Sequence, residues 1–214
     1  MRYLPWAVIL LVSSACVVPV ENGSVIDSTR DVSPTNPPVP TEVKKLATNK
    51  RWVVLSRRSS LVISGHDSLL GDHTLTFDRW MGRIEGEPAR LTVDIDLSSL
   101  RSNESLVESI TRDHLIEVDK HRHATLVASL GAIEDSKLVV IDGTANIHGS
   151  EGPIKFTGNI QLEEDAVRFD ASFPMSRRAF GLLYPPVEPF LDDSFKVTVH
   201  AVAKPERVDA QELD

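Results

Sequence analysis

The chain has 214 residues, of which 41% are apolar and 25% charged, with a single cysteine and a net charge of −8 from 23 Lys+Arg against 31 Asp+Glu. That composition is globular. Without a dense basic cluster it excludes a nucleic-acid binder, which has to neutralise phosphates, and one thiol excludes both a disulfide framework and a multi-thiolate metal site.

The chain opens on Met1-Arg2-Tyr3 and a short apolar run, followed by Ser13-Ser14-Ala15-Cys16. One early positive charge, an apolar core and small residues before a break read as an export signal over residues 1–15. The uncharged stretch 4–20 contains Pro5 and Pro19 and is short for a spanning helix. Ser-Ser-Ala-Cys resembles a bacterial lipoprotein cleavage site, which makes Cys16 the lipidation candidate; plain secretion is the alternative. Residues 16–49 hold Pro34, Pro37, Pro38 and Pro40 among Ser, Thr, Asp and Asn, and read as a disordered tether reaching on the order of 30 Å as a coil.

A period of two dominates from Trp52 to Ala203. The expected strands are 61–63, 74–77, then Leu91, Val93, Ile95 and Leu97 against Thr92, Asp94 and Asp96, followed by 125–130, 137–141 and 144–148. Ile154, Phe156, Ile160 and Leu162 then oppose Lys155, Thr157, Asn159 and Gln161. Val167, Phe169, Ala171 and Phe173 oppose Arg168, Asp170 and Ser172, and Phe195, Val197, Val199 and Ala201 oppose Lys196, Thr198 and His200. Turns are expected at 65–67, 85–88, Asp142-Gly143, 149–153 and 163–165. Residues 99–121 break the pattern: Leu106, Ile110, His114 and Val118 stand near a spacing of four, with Ser102 or Asn103 as cap, and predict one or two helical turns. Residues 204–214 read as a flexible tail.

Eight such antiparallel strands with one apolar face predict an all-β fold, a lipocalin-like eight-stranded antiparallel β-barrel with a short helical segment over residues 50–203. Mid-strand Asp94, Asp96, Lys155 and Arg168 on the polar face argue against a membrane-spanning barrel, where basic residues at mid-depth cost about 2–4 kcal/mol. The inside is therefore oily and the outside wet.

Little in the chain points to catalysis. No phosphate-binding glycine loop and no G-x-S-x-G elbow are present, and Glu163-Glu164 and Asp192-Asp193 read as solvated turns. His121 and His123 stand two apart, with His114 seven residues before, and His66 and His73 flank a turn. No third ligand at fixed spacing completes a site, so no metal is expected. Arg177 and Arg178, beside Phe180 and Gly181, offer either a barrel mouth that meets an anionic head group or a structural corner.

Several short patterns, in order, resemble the YceI-like family of polyisoprenoid-binding or lipid-binding barrels: Trp52 with Ser59-Ser60, Gly71-x-His73, 93–100, 111–115, Asp142-Gly143 to Pro153-Ile154, and Arg178-x-Phe180-Gly181. The resemblance implies a lipocalin-like barrel, export, and a long isoprenoid or other amphiphile held inside. Alternation, rather than the resemblance, nominates Val93, Ile95, Phe156, Ile160, Phe169, Phe173 and Val197 as cavity-lining, with Arg177 and Arg178 as head-group candidates. The expected protein is non-enzymatic, without cofactor apart from a bound isoprenoid or fatty acid. It is anchored by lipid in the bacterial cell envelope and faces the periplasm, or is soluble and secreted. A homodimer is left open, and a packed structural or interaction lipoprotein is the competing function.

Overall fold

The computed structural model describes residues 45–206 except 48, 132 and 136. The expected signal (1–15), the lipidation candidate Cys16, most of the expected tether and residues 207–214 lie outside the described residues. The elements are β1 (Trp52–Val54), β2 (Ser60–Asp67), β3 (Gly71–Phe77), β4 (Trp80–Glu85), β5 (Arg90–Asp96), β6 (Leu100–Ser102), α1 (Ser105–Ile110), β7 (His123–Ser129), β8 (Leu138–Ile147), β9 (Ser150–Leu162), β10 (Val167–Ser176) and β11 (Ser194–Pro205).

These form eight staves. β1 and β2 make the first, β3 and β4 the second, β5 and β6 the third; the remaining five strands are one stave each. All pairings are antiparallel and the last stave returns to the first, which closes the barrel. At this closure, residues 196–200 of β11 pair with 64–60 of β2, while 203–205 pair with 54–52 of β1. The first stave thus holds three more residues than its partner, and the 3-10 turn Ser56–Arg58 absorbs them. Side chains mend the ladder there: the Val202 N–H donates to Ser59 Oγ at 2.9 Å, and Ser59 Oγ donates to Leu55 O at 2.8 Å. One wall is incomplete, because the β9–β10 ladder covers only Gly158–Leu162 against 171–167 and stops where both strands continue.

Burial follows the alternation. In β9 the even-numbered residues from Phe156 to Leu162 are buried and the odd ones exposed. Two apolar clusters fill the two ends. One gathers Trp52, Leu130, Ile133, Val139, Ile141, Leu162 and Val167; the other gathers Leu61, Phe77, Leu97, Leu100, Ile116 and Val118, and Phe173 packs against both. On the outside, a cross-strand ion pair joins Lys155 to Asp142 at 2.7 Å and a cross-strand hydrogen bond joins His200 to Asp170 at 2.6 Å. No helix among the described residues is long and apolar enough to cross a membrane.

Several local expectations are corrected. Asp142-Gly143 lies inside β8, not in a turn. A Cβ at Gly143 would meet Val127 O at 2.2 Å, so the glycine is required by the close approach of β7. Residues 65–67 belong to β2, and β9 begins at Ser150, so the expected turns shift to 68–70 and His148-Gly149. The helical segment is α1 followed by a π-turn, Thr111–Leu115. It starts after Glu104, which makes no side-chain cap; Ser102 Oγ instead accepts the Glu104 N–H at 3.2 Å. The tether ends earlier than expected. Leu46 is buried, its N–H donates to Ile133 O at 3.0 Å, and Ala47 O accepts the Trp52 indole N–H. The tail begins later: β11 runs through Pro205, and Glu206 meets Arg51 at 3.0 Å.

Candidate functional site

Because every stave alternates, its inward side chains converge on the barrel axis. They leave one apolar cavity of about 210 Å³. It reaches from Leu130, Ile133 and Val167 at one end to Ile116, Leu182 and Phe195 at the other, and all its lining residues except Thr125 are apolar or aromatic. That is larger than the roughly 150 Å³ dry apolar hole that admits benzene in an engineered core. All seven residues nominated by alternation stand on this wall: Val93, Ile95, Phe156, Ile160, Phe169, Phe173 and Val197.

Two aromatic contacts shape the waist. The Phe156 and Phe173 rings stack with centroids 3.9 Å apart and planes 12° from parallel. They are opposite residues in a β9–β10 register whose ladder has already ended, so the rings stand at the unpaired seam. Further along, the ring of Phe169 lies against Gly158, where an added Cβ would fall 2.3 Å from Phe169 Cζ. The glycine gives the ring room to lie along the wall.

The helix-covered end carries most of the polar structure. By topology it brings together the 68–70 turn, residues 103–122, the β8–β9 corner and the 177–193 loop. The imidazole of His114 stacks on Tyr184 at 4.5 Å, joining the cover to that loop. Arg177 is buried, and its guanidinium is fully engaged by its own chain. Nε donates to Asp192 O at 3.0 Å, Nη1 to Leu182 O at 2.9 Å and Glu188 Oε1 at 2.5 Å, and Nη2 to Glu188 Oε2 at 3.1 Å and Leu191 O at 3.2 Å. The five N–H groups have five partners. Arg177 is therefore the structural corner, which corrects its nomination as a head-group ligand. Arg178 is different: its side chain is 55% exposed and shares Glu188 at 3.2 Å. The Arg177 bond, helped by the Tyr184 N–H and Arg178, holds the Glu188 carboxyl below its ordinary range. The Arg178 N–H and the Ser176 hydroxyl do the same for Asp193.

Sequence reasoning missed a buried pair at this end. His73 and Asp67, both buried, are hydrogen-bonded from His73 Nε2 to Asp67 Oδ2. Burial pushes the Asp67 carboxyl up, but the N–H groups of Leu70 and Leu69 at 2.7 and 2.8 Å, with His73, outweigh it and leave the carboxyl lowered. Among the described residues, His73 Nδ1 is the one buried side-chain nitrogen or oxygen without a hydrogen-bond partner. The signal was the inward phase of residue 73 in an alternating strand. The histidines are also regrouped. His123 bonds Asp94 at 3.0 Å on the outer face, whereas His121 stands with Glu117 and His148. The fold thus supplies the third ligand that sequence spacing lacked.

A model of the YceI-like domain matches residues 52–203. The chain belongs to the YceI-like family. The match begins at β1 and ends within the final stave, so the YceI-like domain is the barrel. No curated protein matches the chain. Among solved structures, Burkholderia cenocepacia BcnA is 14% identical with a TM-score of 0.63, over 71% of this chain and 99% of that one. A Saccharophagus degradans structure, described as a polyisoprenoid binding domain implicated in plant cell wall breakdown, is 18% identical with a TM-score of 0.63, over 72% and 98%. The Campylobacter jejuni YCEI protein is 15% identical with a TM-score of 0.53, over 62% and 85%. At these identities the likeness is one of fold.

Proposed function

We propose that this protein is an exported envelope lipoprotein that binds or carries one long-chain amphiphile, polyisoprenoid or fatty-acid-like, inside its barrel. The observation that carries the reading is the apolar cavity whose lining residues come from both ends of the barrel. An alkyl or prenyl chain there gains about 25 cal/mol for each Å² of apolar surface removed from water. The description of the S. degradans domain supports the isoprenoid class. The polar head belongs at the helix-covered end. There Arg178, 55% exposed, offers a charge to an anionic head. Exposed Leu69, Leu70, Leu106, Leu183 and Phe190 stand on segments at this same end, which suits passage of an oily guest. Acylation of Cys16 would hold the barrel near a membrane through the 16–49 segment, facing the periplasm. The role is binding, not catalysis.

The competing reading, a solid scaffold barrel, draws on the Phe156–Phe173 stack in mid-cavity. Uptake of a fluorescent prenyl probe and a fluorescent fatty-acid probe separates the two. The binding reading predicts saturable one-to-one uptake that falls at least tenfold (about 1.4 kcal/mol) in Phe173→Trp, whose larger ring fills the waist. No uptake, or uptake unchanged by that filling, would favour the scaffold.

A further inference from the structure

Outside the apolar cavity, three potential metal ligands from two separate parts of the chain meet at the helix-covered end. Glu117 follows the π-turn, and its carbonyl accepts the N–H groups of Lys120 at 2.8 Å and His121 at 3.0 Å. That tight turn brings His121 back beside Glu117. His148 comes from the β8–β9 corner. One ligand atom from each residue lies within 4.8 Å of the other two, and all three residues are half-buried. His148 Nε2 sits 3.2 Å from Glu117 Oε2, and the His121 and His148 rings meet edge to face at 4.4 Å.

The backbone is shaped around this meeting. Glu117 and His148 are the two non-glycine residues described with positive φ, at 49° and 55°. Left-handed backbone costs an L-residue roughly 1–2 kcal/mol, and such strain collects at sites that use it. Gly149, at φ 72°, closes the corner directly on the third ligand: a Cβ there would lie 3.0 Å from His121 Cε1 and 3.2 Å from Nδ1. Both strained residues and the adjoining glycine thus face one point.

Two imidazoles and one carboxylate form a donor set for a borderline divalent cation such as Zn²⁺, with a fourth position left for water. Mg²⁺ and Ca²⁺ demand more oxygen ligands than this site has. Tetrahedral ligands about 2.1 Å from a zinc ion stand roughly 3.4 Å apart, so small side-chain rotations close the present spread. Lys120 is the nearby cation; it bonds the other Glu117 oxygen, Oε1, and its side chain is 68% exposed and able to swing away. We propose that Glu117, His121 and His148 form a zinc-class metal site that pins the cover over the barrel end to the β8–β9 corner. The site stands whether or not the barrel holds a lipid guest.

The test uses the full chain, stripped with chelator and titrated with Zn²⁺ by calorimetry and with Co²⁺ by visible absorption. One saturable site is expected, with the spectrum of low-coordinate Co²⁺. His121→Gln and His148→Asn, the latter chosen because asparagine tolerates positive φ, should each weaken binding by about tenfold or more, while His123→Gln leaves it unchanged. At free zinc a hundred times Kd, the melting temperature should rise by about 5–10 °C. Absence of saturable Zn²⁺ binding and of a low-coordinate Co²⁺ spectrum in the unmutated chain would overturn the proposal without reference to any variant. Binding that survives both substitutions together would overturn it as well.

Discussion

Phe169 and Arg177 show how one side chain fixes a function or a fold. Phe169 lies along the wall only because Gly158 has no side chain. In Gly158→Ala the new methyl pushes the ring into the cavity. The expected outcome is weaker probe uptake with a loss of about 1–3 kcal/mol in stability, read by probe titration and urea unfolding. Arg177 is expected to be structural: Arg177→Ala strands Glu188 and three carbonyls, and should cost about 3 kcal/mol or more in the same unfolding assay. Its effect on uptake should follow only from that instability. The interior residues were legible in the sequence because inward phase depends on nothing but the period of a strand. The role of Arg177 was not, since its partners come from residues 182–192, across a loop with no periodic signal.

At the level of elements, the β9–β10 seam separates two behaviours within one strand. Residues 158–162 of β9 are laddered to β10, whereas 150–157 are not. Amides of 150–157 that point toward β10 should exchange with deuterium faster than their counterparts in 158–162, and equal protection across both halves would show the seam to be closed. The strands themselves were readable from alternation and the turn at 163–165 from its acidic cluster. The kinks that divide the first three staves were not. Ser56–Arg58 and Leu97–Ser99 carry no glycine or proline, and the first exists because the closure against β11 needs three extra residues on one side. Asp142-Gly143 misled for a related reason, since a glycine demanded by a neighbouring backbone looks in sequence like one demanded by a turn.

For the whole molecule, the two ends differ in what holds them. Glu188, Asp193, Asp67 and Asp96 all stand at the helix-covered end, and all have carboxyls held below their ordinary values. For Asp96 the hydrogen bond from the Ser98 hydroxyl is the largest cause; burial opposes it, and the bonds from Arg79 and the Ser98 N–H add to it. A carboxyl whose pKa is lowered on folding contributes stability above its unfolded value, and that contribution is lost as pH falls through the folded one. The melting temperature should therefore be flat above about pH 5 and drop below about pH 4, with exchange rising first in residues 177–193. A melting temperature that holds or rises through that acid range would contradict the assignment. The barrel could be read from the chain because strand periods are local. The Glu117, His121 and His148 cluster could not, because His148, 27 positions beyond His121, joins the other two only once the barrel has closed.

The proposed role requires the closed barrel to house one long apolar guest. Native mass spectrometry of the full chain, before and after extraction with organic solvent, tests it most directly. The expected result is a mass excess corresponding to one chain lipid per protein, lost on extraction and restored by an added prenyl alcohol or fatty acid. A protein of bare mass throughout, taking up neither, would contradict it.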